Sequence, residues 1–167
     1  SEMCIRDRFM WVMIFGIGIL TGLDFLVSFA FGAGKREDGH RALVQSLWLA
    51  VGLGVPLTIL LWFVGEGLVG FGVRPEVAAA TDSYLKLLSF SLVPVLVFTA
   101  SRQYLQALGV ARPATVVLVI ANLINALANY VFVFGHWGSP ALGADGSALA
   151  TLVSRVWMML TMAGYLI

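Results

Sequence analysis

Five long apolar runs alternate with short polar connections along this chain. They extend over residues 11–33, 43–64, 84–108, 115–134 and 148–167. Each is close to the roughly 20 residues that a helix needs to cross about 30 Å of hydrocarbon. Turn-forming and charged segments separate them. GAGKREDGHR follows the first run and VRPEVAAATDS divides the second from the third. Arg112-Pro113 closes a tight third connection, and HWGSPALGADGS precedes the last run. Strands of a membrane barrel would alternate apolar and polar residues over about ten positions. The runs here are continuous and twice as long, so the predicted fold class is all-α, a polytopic transmembrane helix bundle of about five spans.

Small residues and prolines refine that picture. Gly16, Gly18, Gly22, Gly52 and Gly54 fall inside the first two runs, where small residues let helix backbones approach one another in lipid. Pro56 and Pro94 lie inside the second and third runs. Each removes a backbone donor and predicts a kink.

Composition agrees with a membrane solvent. Sixty per cent of the 167 residues are apolar and 11% are charged, where a soluble domain would carry about 25% charged residues. The net charge of +1 gives no basic field, which argues against nucleic acid as a partner. The single cysteine, Cys4, excludes an internal disulfide framework and a cysteine-rich metal site. His40 and His136 fall in different connections, with no nucleophile–base–acid set and no metal-ligand spacing. The expectation is a protein that is not an enzyme and needs no cofactor.

The distribution of cations predicts orientation. Lys35, Arg36 and Arg41 occupy the first connection, and Arg102 and Arg112 flank the third. The opposite connections hold Arg74, with Lys86 just inside the following run, and the acids Glu66, Glu76, Asp82 and Asp145. Loop 34–42 is therefore expected in the cytoplasm, with the chain start outside and its end inside. The leader SEMCIRDR breaks this pattern with Arg6 and Arg8. It resembles translated sequencing-adaptor read-through, so residues 1–8 are set aside as non-native and 9–167 are read as a partial transmembrane domain. The last run stops at Ile167 in mid-stretch, which gives the far edge the look of a cut as well.

Polar residues inside apolar runs are the strongest functional signals, because hydrocarbon offers no water to satisfy them. Asn122, Asn125 and Asn129 recur at i, i+3 and i+7, which places all three on one helical face. Such a row either lines a polar cavity and binds a cation through amide carbonyls, or bonds neighbouring helices and holds the bundle together. Thr151 and Ser154 pose the same choice, with a bond to the carbonyl one turn back as the plainer reading. Tyr84 opens the third run, where tyrosine serves as an interfacial anchor. Asp24 is the one acid inside a run; it is a coupling-ion group or a structural acid bonded to Thr21, Ser28 or a neighbouring helix. Arg102 and Arg155 are expected to snorkel to the headgroups. Met10, Met13, Met158, Met159 and Met162 are expected to face lipid, although methionine also suits a surface that accepts varied apolar ligands.

Four segments then carry a family resemblance: LDFLVSFAFGAGKRED, YLKLLSFSLVPVLVFTASRQYLQALGVARPA, NLINALANYVFVFG and LGADGSALATLVSR. In this order they resemble the multidrug and toxic compound extrusion family over nearly all of residues 16–155. The resemblance implies two six-helix lobes working as an exporter of organic, often cationic, drug-like compounds in exchange for sodium ions or protons. It makes this chain the second to sixth helices of the first lobe, multi-pass in a bacterial inner membrane. The partners implied are the lipid bilayer, the transported compounds, the coupling ion and a second lobe supplied elsewhere in the same chain. A lone piece of this kind is expected to be inactive. Asn125 and Asn129 match an asparagine and a second asparagine or aspartate of the family's first-lobe cavity. Thr151 matches a position that can face the same cavity, and Tyr84 matches a cavity tyrosine loosely. An amide at position 129 does not titrate, which weakens the case for a proton site there. A lipid-linked oligosaccharide flippase of the same superfamily would want cations in its cavity, and the amide face has none. A non-transporting membrane assembly subunit is the remaining alternative.

Overall fold

The computed structural model describes residues 36–66, 75–135 and 140–166, together with the helical positions Met10, Ile14 and Gly18. Five helices follow in order: α1 (Arg36–Glu66), α2 (Pro75–Ser89), α3 (Leu92–Ala107), α4 (Arg112–Phe134) and α5 (Gly143–Leu166). There is no strand among the described residues. Among the described residues, four stretches are long and apolar enough to cross a membrane: Leu43–Phe63, Asp82–Ala107, Arg112–Phe134 and Gly143–Leu166. The run at 11–33, and Asp24 with it, lies outside the described residues apart from Ile14 and Gly18, as do residues 1–8.

Two boundaries differ from those the sequence predicts. The segment 34–42, expected as a loop, is helical from Arg36 onward. The third run is two helices with a break at Phe90–Ser91. Pro94 supplies the cause. Its ring nitrogen has no hydrogen to give the carbonyl of Phe90 four residues back, so the ladder ends there and α3 restarts with Pro94 in its first turn. Pro56 does not break α1, which runs through it to Glu66.

Hydroxyls bond carbonyls on the α2 side of the break. Ser91 gives both its N–H and its Oγ–H to the Leu88 carbonyl, at 3.0 and 2.6 Å. Ser89 Oγ donates to Lys86 O at 2.7 Å. Thr58, on α1, donates to Ser89 O at 3.1 Å while keeping a 2.7 Å bond to Gly54 O of its own helix. Side chains of α1 and of the break itself thus supply part of the bonding that the interrupted ladder loses.

Helix α1 packs on α2 and α3, α5 packs on α2, α3 and α4, and α4 leans chiefly on α5. Three apolar clusters fill the interfaces. Leu61, Leu85, Leu88, Leu92 and Ala148 join α1, α2, α3 and α5. Ala50, Leu96 and Ala100 join α1 to α3. Phe98, Leu105, Ala114, Val117, Ala121, Met158 and Met162 join α3, α4 and α5. Met158 and Met162 are therefore core residues and not the lipid-facing filler expected; Met159 is half-buried and Met10 is exposed.

The expected close approach at glycine holds for one member of the Gly52/Gly54 pair. A Cβ on Gly54 would lie 2.9 Å from Val93 Cγ2, while one on Gly52 would meet nothing within 4 Å. The tightest approach is elsewhere. A Cβ on Gly146 would lie 2.5 Å from the Phe132 carbonyl oxygen, so α4 and α5 touch backbone to side-chain position at that level.

Candidate functional site

The asparagine row lies along the α4–α5 interface, and its members differ in what they do. Asn122, nearest the start of α4, is exposed and donates to Leu118 O of its own helix at 2.9 Å. Asn125 is half-buried and reaches across to α5, where its Nδ2 lies 3.4 Å from Ser154 Oγ. Asn129 turns back along α4, with Nδ2 2.9 Å from Asn125 O and 3.0 Å from Asn125 Oδ1. Two amides and one hydroxyl are thus chained across two helices.

The register of the hairpin places the remaining groups. Helices α4 and α5 are antiparallel, with Asn125 opposite Ser154 and Phe132 opposite Gly146. Asn129 and Thr151 each lie about one turn further toward the α4–α5 connection. Thr151 makes the bond to its own helix that the sequence suggested, Oγ1 to Ser147 O at 2.9 Å, and Ser154 Oγ donates to Thr151 O at 2.9 Å. Both hydroxyl protons are used within α5. Ser154 Oγ and Asn125 Oδ1, which accept from the Asn125 and Asn129 amides, form a polar patch between the helices, with Thr151 one turn along α5. Hard cations take such oxygens as ligands. The patch holds no carboxylate among the described residues.

Tyr84 belongs to a different place. Helix α2 begins at Pro75, and Tyr84 lies near the start of its apolar stretch, Asp82–Ala107, as the sequence suggests. It is half-buried against Leu61, Leu85, Leu88, Leu92 and Ala148. The described bonds do not join it to the amide row.

Two polar features have no signal in the local sequence pattern that fixes them. Arg155 lies close to the midpoint of the 24-residue α5 and does not snorkel to a helix end. Its Nη1 donates to Ser91 Oγ at 2.6 Å, at the break between α2 and α3. A charge at mid-membrane costs about 2.5–3.5 kcal/mol on insertion scales. The C-terminal end of α2, where partial negative charge gathers, offsets part of that cost. The second feature is an ion pair. Lys86 Nζ is 2.7 Å from Asp82 and 5.4 Å from the centre of the Trp62 ring, which packs edge-on against Phe90 at 5.6 Å. Asp82 therefore joins Asp24 as an acid inside an apolar stretch, and the i, i+4 spacing to Lys86 was its one available hint.

A membrane-spanning helical bundle with one broken span and polar links across its helix interfaces defines the class: a polytopic membrane protein. The family model described as MatE matches residues 7–131, and the chain belongs to that family. It is 32% identical over 159 residues to "Probable multidrug resistance protein NorM" of Synechocystis sp., covering 95% of this chain and 34% of that protein. With the protein of the same description from Agrobacterium fabrum it shares 33% identity over 167 residues, covering 99% of this chain and 36% of the relative. A solved structure described as the inward-facing conformation of a multidrug resistance MATE family transporter of the MOP superfamily superposes with a TM-score of 0.85. It is 24% identical and covers 96% of this chain and 36% of its own. The chain spans about a third of the length of the relatives it matches.

Proposed function

We propose that this chain is part of the ion- and substrate-handling first lobe of a secondary multidrug exporter. That exporter would move organic, often cationic, compounds out of the cell in exchange for sodium ions or protons. The reading puts the chain in a bacterial inner membrane with segment 34–42 toward the cytoplasm. The carrying observation is the interhelical chain Asn129–Asn125–Ser154, an oxygen-rich patch with Thr151 one turn away. Four oxygen-bearing side chains in hydrocarbon suit a partly dehydrated cation better than a proton, because none of them titrates near neutral pH. Asp24 remains the group in this proposal through which a proton would act, and Tyr84 an aromatic lining candidate by its match to the family.

The decisive experiment replaces Asn125 and Asn129 together with alanine in the full-length protein that carries this segment. Efflux of a fluorescent organic cation from cells is expected to fall at least tenfold at equal membrane abundance. A double variant that melts earlier yet exports normally per folded molecule returns the amides to a purely structural role. Orientation has its own test. In intact cells, Lys35→Cys should resist a membrane-impermeant thiol reagent and Ala144→Cys should react; the opposite pattern overturns the orientation.

A further inference from the structure

Two polar contacts leave α5 from consecutive residues and go to different neighbours. Ser154 meets Asn125 of α4 at 3.4 Å, and Arg155 meets Ser91 at 2.6 Å. Successive residues of a helix are turned by about 100°, so one step of α5 touches both the amide row and the α2–α3 break. Ser91 is fully buried and passes its own proton to the Leu88 carbonyl in the last turn of α2. The acceptor end of a half-helix inside a membrane attracts a cation. Here a tethered guanidinium occupies that end.

We propose that Arg155 is a positioning residue for the amide row. By fastening α5 to the α2–α3 break, it fixes the rotation of α5 that presents Ser154 to Asn125. A movement at the break then reaches Asn125 through a single residue step along α5. The interaction uses charge as well as a donor: lysine at 155 keeps both, whereas glutamine keeps a donor and loses the charge. The functional weight of this coupling rests on the amide row being the ion-facing site.

The test uses the full-length protein that carries this segment, ¹⁵N-labelled in lipid nanodiscs, with the side-chain amide signals of Asn125 and Asn129 assigned from their own substitutions. Arg155→Gln should shift both Asn125 side-chain signals and speed hydrogen exchange at Ser91 and Val95, the amides that close the break, at least tenfold. Arg155→Lys should keep the signals in place and exchange within about threefold of the parent. Ser91→Ala, which removes the acceptor, should shift the Asn125 signals in the same direction as Arg155→Gln. A folded Arg155→Gln variant with unmoved Asn125 signals overturns the proposal. So does loss of folding in both Arg155 variants while Ser91→Ala leaves Asn125 unchanged, because Arg155 would then be packing alone. Titration of the parent with sodium chloride against choline chloride separates this from the site reading. Sodium-independent Asn125 and Asn129 signals remove the ion reading, while a shift caused by Arg155→Gln still supports the coupling.

Discussion

Helices α3 and α4 are both apolar and both long enough to contribute to a span, yet they live in opposite surroundings. In an 18-residue apolar window of the stretch that includes α3, 56% of the residues are buried; in the corresponding window of α4 the share is 11%. Helix α3 is enclosed by α1 and α5, and its hydroxyls at Thr99 and Ser101 turn back onto carbonyls of the same helix. Helix α4 has one substantial partner, and it concentrates its polar side chains on one face while Val116, Val119, Leu123 and Leu127 look outward. Hydrophobicity alone does not separate these fates, because lipid tails are as apolar as a leucine core. The placement of polar atoms does. The enclosed helix turns its hydroxyls onto its own backbone, and the peripheral one sends one amide, Asn125, across an interface.

The sharpest test of that contrast is a matched pair of truncations. Leu96, fully buried on α3, should cost about 2–5 kcal/mol when changed to alanine, through lost contacts and the cavity left behind. Leu123, 61% exposed on α4, should cost no more than about 0.5 kcal/mol. Unfolding in mixed detergent micelles measures both, and equal losses would mean that α4 is as enclosed as α3. A smaller effect is expected at glycine. Gly146→Ala should destabilise by about 1–3 kcal/mol, because the new methyl meets the Phe132 carbonyl and backbone cannot step aside. Gly52→Ala should be neutral or slightly stabilising, since its Cβ meets open space. A thermal shift as large for Gly52→Ala as for Gly146→Ala would contradict the α4–α5 register that sets Phe132 against Gly146. The smallest difference concerns the amides. Asn125→Leu should lose about 0.6 kcal/mol, typical of an interhelical hydrogen bond in a membrane protein. Asn122→Leu, which breaks only a bond within α4, should be nearly silent in the same melts.

Much of the architecture was legible because length is a hard constraint in hydrocarbon. Predominantly apolar runs near 20 residues read as helices, and the four among the described residues are helical, the third with a break. The amide row was legible for the same kind of reason, since a period of 3.6 fixes a shared face whatever the neighbours. The helix break was only half legible. Pro94 announces a missing donor, but Pro56 announces one equally, and the outcome depends on where Ser89, Ser91 and Thr58 can bond carbonyls on the α2 side of the break. The burial of Met158 and Met162 was not legible at all. In water an apolar face points inward, whereas in a bilayer lipid and core select the same residue types. The mid-membrane place of Arg155 was equally hidden, because its acceptor, Ser91, is 64 residues away and no local spacing could indicate it.

The order in which these partners occur has a bearing on how the chain is made. Ser91 leaves the ribosome 64 residues before Arg155, about 3–13 s earlier at ordinary synthesis rates. The acceptor for the cation near the middle of α5 therefore emerges first, and the last described helix brings its charge to a partner made before it.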